Sequence, residues 1–128
     1  MSAKKVILLD DEPIVGERLQ PALEKAGFQV ESYTDSQQVV DRLARERFDV
    51  LVTDLKMRKP DGLEVMRFAK RQWPGIKVII ITGFATVETA TEAMREGAVE
   101  FIAKPFKIRA LRDLILRITA DTEQSPPS

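Results

Sequence analysis

Five short apolar runs alternate with five amphipathic stretches along the 128 residues, and this alternation constrains the fold more than any other feature. The runs are Val6–Leu9, Phe28–Tyr33, Val50–Val52, Val78–Ile81 and Val99–Ala103. Short runs rich in β-branched residues favour strand over helix. Between them, Ile14, Val15, Leu19, Ala22, Leu23 and Ala26 share one helical face, and Gly27 is placed to end that helix. Asp35 with Gln38, and Asp61 with Glu64, read as capping pairs for the second and third helices. Apolar Val39, Val40 and Leu43 follow the first pair, and Leu63, Val65, Met66 and Ala69 the second. Val87, Ala90, Ala93 and Met94 predict a fourth helix, stopped at Gly97, and Ile108, Leu111, Leu114, Ile115 and Ile118 a fifth. Pro21 falls inside the first helix and predicts a kink on its solvent side.

Regular strand–helix alternation predicts a parallel sheet with helices on both faces, an α/β architecture of three αβα layers. Runs one, three and four are continuously apolar, as strands covered on both faces must be. Runs two and five carry Glu31, Ser32 and Glu100, and read as edges. A five-stranded sheet ordered 2-1-3-4-5 satisfies this distribution, and that order is one of the recurrent doubly wound arrangements. One domain over residues 1–120 accounts for the pattern. Residues Asp121 to Ser128 (DTEQSPPS) read as a polar tail or linker stub.

Composition narrows the chemistry. The chain has no Cys and no His, so disulfides, thiol nucleophiles, His-ligated metals and imidazole proton shuttles are excluded within it. No phosphohistidine can form in these residues. Twenty basic and twenty acidic side chains cancel, which gives no support for broad attraction to nucleic acid or an anionic membrane. No apolar run reaches transmembrane length, and Met1 to Lys5 do not read as a signal peptide. The expectation is a soluble cytoplasmic domain.

A parallel sheet gathers the carboxyl ends of its strands along one edge. That edge receives Asp10 and Asp11, Asp54, Thr82 and Lys104. Strands one and three would be neighbours at the switch point, where open α/β sheets bind ligands. Clustered carboxylates repel one another, and a divalent cation relieves the repulsion. An oxygen-only site suits Mg²⁺, with Mn²⁺ as an alternative. A lysine and a hydroxyl opposite could hold anionic oxygens, so a phosphoryl group fits between metal and ammonium, with a carboxylate as nucleophile.

The segments VILLDDEP, VLVTDLKM, DGLEVM, VIIITG and FIAKPF resemble, in order and spacing, the receiver domains of bacterial two-component response regulators. The resemblance runs from about Lys5 to Ile118. It implies the flavodoxin-like receiver fold. It implies that Asp54 is the phosphoacceptor, that Asp10, Asp11, Asp54 and the backbone carbonyl of Lys56 hold the metal, and that Lys104 and Thr82 contact the phosphoryl group. Phe101 would be the aromatic switch residue, and Lys104–Pro105 a cis peptide. Lys56 and Phe84 would flank the path of attacking water and tune dephosphorylation. The implied partner is a sensor histidine kinase or phosphotransfer protein. Phosphorylation would alter the surface of the fourth helix, fifth strand and fifth helix, with a phosphorylation-dependent homodimer as one consequence. Residues 83–106 resemble receivers of the nitrogen-regulation and nitrogen-fixation type, which usually precede another domain. One position departs from the pattern: Arg58 follows Met57 where proline is frequent, and Pro60 comes two residues later.

Three other readings stay open on the sequence. A phosphate-independent module of the same fold would lack a site residue, and none is missing. An FMN carrier would follow its first strand with a hydroxyl-rich loop rather than Asp-Asp-Glu-Pro. A phosphatase using an aspartyl phosphate would need a larger cap or pocket.

Overall fold

The computed structural model describes residues 3–124, with side chains described for residues 3–120. Five strands and five helices alternate: β1 (Lys5–Leu9), α1 (Pro13–Lys25), β2 (Gln29–Tyr33), α2 (Ser36–Arg45), β3 (Val50–Asp54), α3 (Gly62–Gln72), β4 (Lys77–Thr82), α4 (Val87–Arg95), β5 (Glu100–Ala103) and α5 (Ile108–Gln124). All pairings are parallel, and the sheet order is β2-β1-β3-β4-β5. The polar-interrupted strands β2 and β5 are the edges, as their composition requires.

Side chains along each strand alternate between two apolar layers. Ile7, Leu9, Leu51, Val78 and Ile80 pack with Val39 and Leu43 of α2 and Val65 and Met66 of α3. Val6, Leu8, Val50, Val52, Ile79 and Ile81 pack with Leu19 and Leu23 of α1 and Leu111 and Ile115 of α5. The period of two in a strand produces this split, and it explains why the central strands are apolar at every position. Each such buried side chain contributes about 1.5–3 kcal/mol relative to exposure.

Local signals decide where the helices start and stop. Asp61 and Glu64 form the expected capping box, each side chain accepting the other's backbone N–H, at 2.8 and 3.0 Å. Gly27 and Gly97 follow the ends of α1 and α4 with φ of 103° and 116°, a conformation that favours glycine. Asp35 stands at the N-cap of α2 but its side chain makes no cap bond, contrary to the sequence reading. The neighbouring Ser36 hydroxyl instead donates to the Arg58 carbonyl at 3.5 Å. Pro21 lies at an exposed position within α1, and the helix runs through it without a break. The α5 backbone continues to Gln124, into the segment expected to be a tail, and residues 125–128 lie outside those described.

The fourth helix forms where Val87, Ala90, Ala93 and Met94 predict it, but it is shallowly seated. Only Ala93 is buried; Val87 is 80% exposed and Met94 46%. The segment from Gly83 to Thr86 that leads into the helix is itself exposed, so the first turn of α4 stands clear of the sheet. Ile14, in the first turn of α1, is likewise exposed.

Candidate functional site

Sheet register builds the site. Asp54, the last residue of β3, pairs in register with Ile81, and Thr82, the last residue of β4, pairs with Ala103, which precedes Lys104. Leu9, the last residue of β1, pairs with Thr53 and delivers Asp10 beside the Asp54 position. Residues distant in sequence therefore meet at one edge because their strands end together.

Asp10, Asp11 and Asp54 each offer a carboxylate oxygen, and the three atoms lie within 4.8 Å of one another. Asp10 is 4% exposed, Asp54 is buried, and Asp11 faces solvent. Lys104 reaches into this group. Its ammonium donates to Asp54 Oδ2 at 3.1 Å and to Glu12 Oε1 at 3.0 Å. It also lies 2.6 Å from Asp10 Oδ2, close enough for an ion pair. Asp10 Oδ2 is thus a buried carboxylate oxygen whose partner is the Lys104 ammonium. Asp10 Oδ1 accepts the Glu12 N–H at 2.9 Å.

Burial pushes the Asp10 carboxyl above the usual carboxylate range, against the pull of Lys104 and of the Glu12 N–H. Burial acts to lower the Lys104 ammonium, but the carboxylates of Asp10, Glu12 and Asp54 outweigh it and hold the group above its ordinary value. The carboxylates of Asp10, Asp11, Asp54 and Glu12 outnumber the one ammonium among them. The three converging carboxylates, with Asp10 buried and one ammonium among them, fit a small divalent cation with oxygen ligands.

The other expected residues sit around this centre. Thr82 is fully buried, and its hydroxyl oxygen accepts the Phe84 N–H at 3.0 Å. Lys56 and Phe84 are exposed on the loops after β3 and β4, and the Lys56 N–H donates to Asp54 Oδ1 at 3.4 Å. Phe101 is half-buried on β5, opposite Ile80, against the α3-side layer. Lys104–Pro105 is cis as expected, and Lys59–Pro60, in the loop with the unusual Arg58, is cis as well.

Two neighbours of the site were not singled out from sequence. Glu12 bonds Lys104 across 92 positions, and only its place directly after Asp10-Asp11 hints at this. Gly62 packs so closely under Asp54 that a Cβ there would lie 2.1 Å from the Asp54 carbonyl oxygen.

The structure is a doubly wound sheet bearing three acids, a lysine and a hydroxyl at its carboxyl edge, the edge where such sheets bind ligands. The family model for the response regulator receiver domain matches residues 6–116, and the chain belongs to that family. It is 33% identical over 115 residues to the response regulator protein FleR of Pseudomonas aeruginosa, covering 90% of this chain and 24% of FleR. It is 34% identical over 108 residues to the response regulator receiver protein CpdR of Brucella abortus, covering 84% of this chain and 90% of CpdR. A CheY-like receiver domain structure from Methanospirillum hungatei matches with a TM-score of 0.90 at 26% identity, over 98% of this chain and 100% of that one. The chain thus spans about a quarter of FleR and nearly all of CpdR. Receiver domains are signalling switches rather than turnover enzymes.

Proposed function

We propose that this chain accepts a phosphoryl group on Asp54 from a phosphohistidine of a sensor kinase or phosphotransfer protein, and that the modified form presents an altered surface to an output partner. The observation that carries the reading is the contact of Lys104 with Asp54 at 3.1 Å, beside the converging carboxylates of Asp10 and Asp11.

In this reading a carboxylate oxygen of Asp54 attacks phosphorus. The bond from phosphorus to the donor's imidazole nitrogen breaks, and the nitrogen keeps the electron pair. Lys104 stands ready to neutralise charge on the transferring oxygens, an effect strengthened by its partial burial. Asp10, Asp11, Asp54 and the Lys56 carbonyl would hold Mg²⁺, or Mn²⁺, which supplies charge neutralisation when bound. The Thr82 hydroxyl, held by the Phe84 N–H, turns toward the new phosphoryl oxygens. Half-buried Phe101 then moves inward, and the surface of α4, β5 and α5 changes. The weak attachment of α4, with Ala93 alone buried, supports a helix that shifts at small cost. The switch is a population shift, and homodimerisation through this surface is one output. Residues 83–106 favour an output of the nitrogen-regulation or nitrogen-fixation kind.

The test is labelling by phosphoramidate or acetyl phosphate in Mg²⁺, read by intact mass. The wild-type chain is expected to gain one phosphoryl group, and Asp54→Asn none. Equal labelling of the two, with both folded by circular dichroism, refutes the assignment.

A further inference from the structure

We propose that Glu12 makes this site discriminate between phosphoryl donors by charge, an inference that rests on Asp54 being the acceptor. One nitrogen, Lys104 Nζ, bridges the Glu12 and Asp54 carboxylates, at 3.0 and 3.1 Å. The two ends of that bridge differ. The Asp54 side chain is 9% exposed, and the Glu12 side chain 63%. Glu12 therefore stands at the open end of the pair, and Asp54 at the closed end.

Beside Lys104 the surface sinks into an open cavity of about 480 Å³. Glu12, Arg18, Gly83, Lys104, Pro105 and Phe106 contribute to its wall, and Glu12 is the one carboxylate in it among the described residues. Asp54 does not line this cavity, and Lys104 joins the two; a donor that reaches Asp54 from the Lys104 side meets the Glu12 carboxylate. It must also share or displace the ammonium donor that Glu12 occupies. The repulsion grows with the negative charge of the donor, while the cost of displacing Glu12 is set by the Glu12–Lys104 pair. A doubly charged small molecule is penalised most, and a donor whose charge is spread or offset by a protein surface is penalised least. Glu12 thereby favours a protein donor over metabolic acyl phosphates.

The side chain is free to serve this role because the fold does not use it. Glu12 occupies the N-cap position of α1 without a side-chain cap bond. Its structural contacts are made by its backbone, whose N–H donates to Asp10 and whose carbonyl accepts the Val15 N–H. Exposed ion pairs also add little stability. Glu12→Gln keeps shape and hydrogen bonding to Lys104 and removes only the charge.

The experiment compares two donors on the same protein at saturating Mg²⁺. Acetyl phosphate is a dianion near neutral pH and transfers its phosphoryl group with acetate leaving. Phosphoramidate is a monoanion there and transfers it with ammonia leaving. Glu12→Gln is expected to speed labelling by acetyl phosphate by about five-fold and by phosphoramidate by about two-fold, from screened Coulomb repulsion at short range. The ratio of the two rates should rise by about two- to three-fold, and the acceleration of the wild-type acetyl phosphate reaction by added salt should flatten in the variant. The ratio cancels anything common to both donors, including metal occupancy. A ratio and a salt slope unchanged from wild type overturn the proposal. Wild-type labelling at Asp54 by phosphoramidate is read in the same experiment, so failure of the acceptor reading shows separately as no labelling at all. If Glu12→Gln does not fold, Glu12→Ala is put to the same ratio, with the same two outcomes.

Discussion

Replacing Gly62 by alanine tests how the third helix positions the acceptor. Gly62 is the first residue of α3, and its N–H donates to the Leu55 carbonyl at 3.1 Å. An added Cβ would lie 2.1 Å from the Asp54 carbonyl oxygen, 2.8 Å from Leu55 Cα and 3.0 Å from the Asp54 carbonyl carbon. All three atoms are backbone, so no side chain can rotate away. Either α3 withdraws or the Asp54–Leu55 backbone is displaced. Overpacking of this kind costs about 1–3 kcal/mol, and a clash with backbone on every side belongs at the upper end. Alanine recovers at most about 0.5–1 kcal/mol over glycine in a helix. A net loss of about 2 kcal/mol lowers Tm by about 7 °C in a chain of this length. Scanning calorimetry reads it, with Gly75→Ala as the control, because a Cβ there meets nothing within 4 Å. The control is expected to match wild type within about 0.5 kcal/mol. Labelling of Gly62→Ala by phosphoramidate should fall below that of the control, because the acceptor backbone is what gives way. A Gly62→Ala protein as stable as Gly75→Ala would refute this account of α3.

A second expectation concerns pH. Glu31 accepts both a bidentate pair of bonds from Arg42, at 2.8 and 2.7 Å, and the Tyr33 hydroxyl at 2.6 Å, and Arg42 holds its carboxyl below the ordinary value of 4.5. The native chain thus takes up this proton at lower pH than the unfolded chain. The contribution is fully present above the ordinary value and is lost as pH falls through the lowered one. The pair is partly exposed, so it amounts to less than about 1 kcal/mol. Glu31→Gln should flatten the acid limb of Tm against pH, and an unchanged limb would count against it. A third expectation concerns the lifetime of the aspartyl phosphate. Lys56 and Phe84 are exposed on the two loops flanking Asp54, so replacing both by alanine should change the phosphoryl half-life several-fold, read by mass against time. An unchanged half-life removes them from that role.

Much of the fold was legible because it depends on local periodicity. The strand-end residues Asp10, Asp54, Thr82 and Lys104 could be placed on one edge once five parallel strands were inferred, since register then fixes where each strand stops. Contacts that depend on side-chain direction were not legible. Asp35 and Asp61 present the same capping pattern, yet only Asp61 caps, and the side-chain direction that separates them is not written in the pattern. Val87 and Met94 repeat at helical spacing on α4, but that helix lies at the periphery beside an edge strand, so the spacing buries neither of them. The Glu12–Lys104 bond joins a residue after β1 to one after β5, strands separated in the sheet by β3 and β4. No pattern within one element encodes it.

The same sheet carries two opposed demands, and their separation along the strands is what lets one small chain meet both. The middle of each central strand is apolar on both faces and supplies the stability. The carboxyl ends gather acids that oppose one another. Asp10 is the point of conflict: it is buried, it lies among other carboxylates, and burial pushes its carboxyl upward. Such a group costs stability unless something neutralises it. Lys104 does so in part: its three carboxylate contacts match its three donors, but its single charge faces several carboxylates. Excess carboxylate charge of this kind is relieved by a cation. Here the imbalance is local, held by two packed layers that do not depend on it. The edge can therefore change its charge state while the core beneath Ile7, Leu51 and Ile80 stays packed.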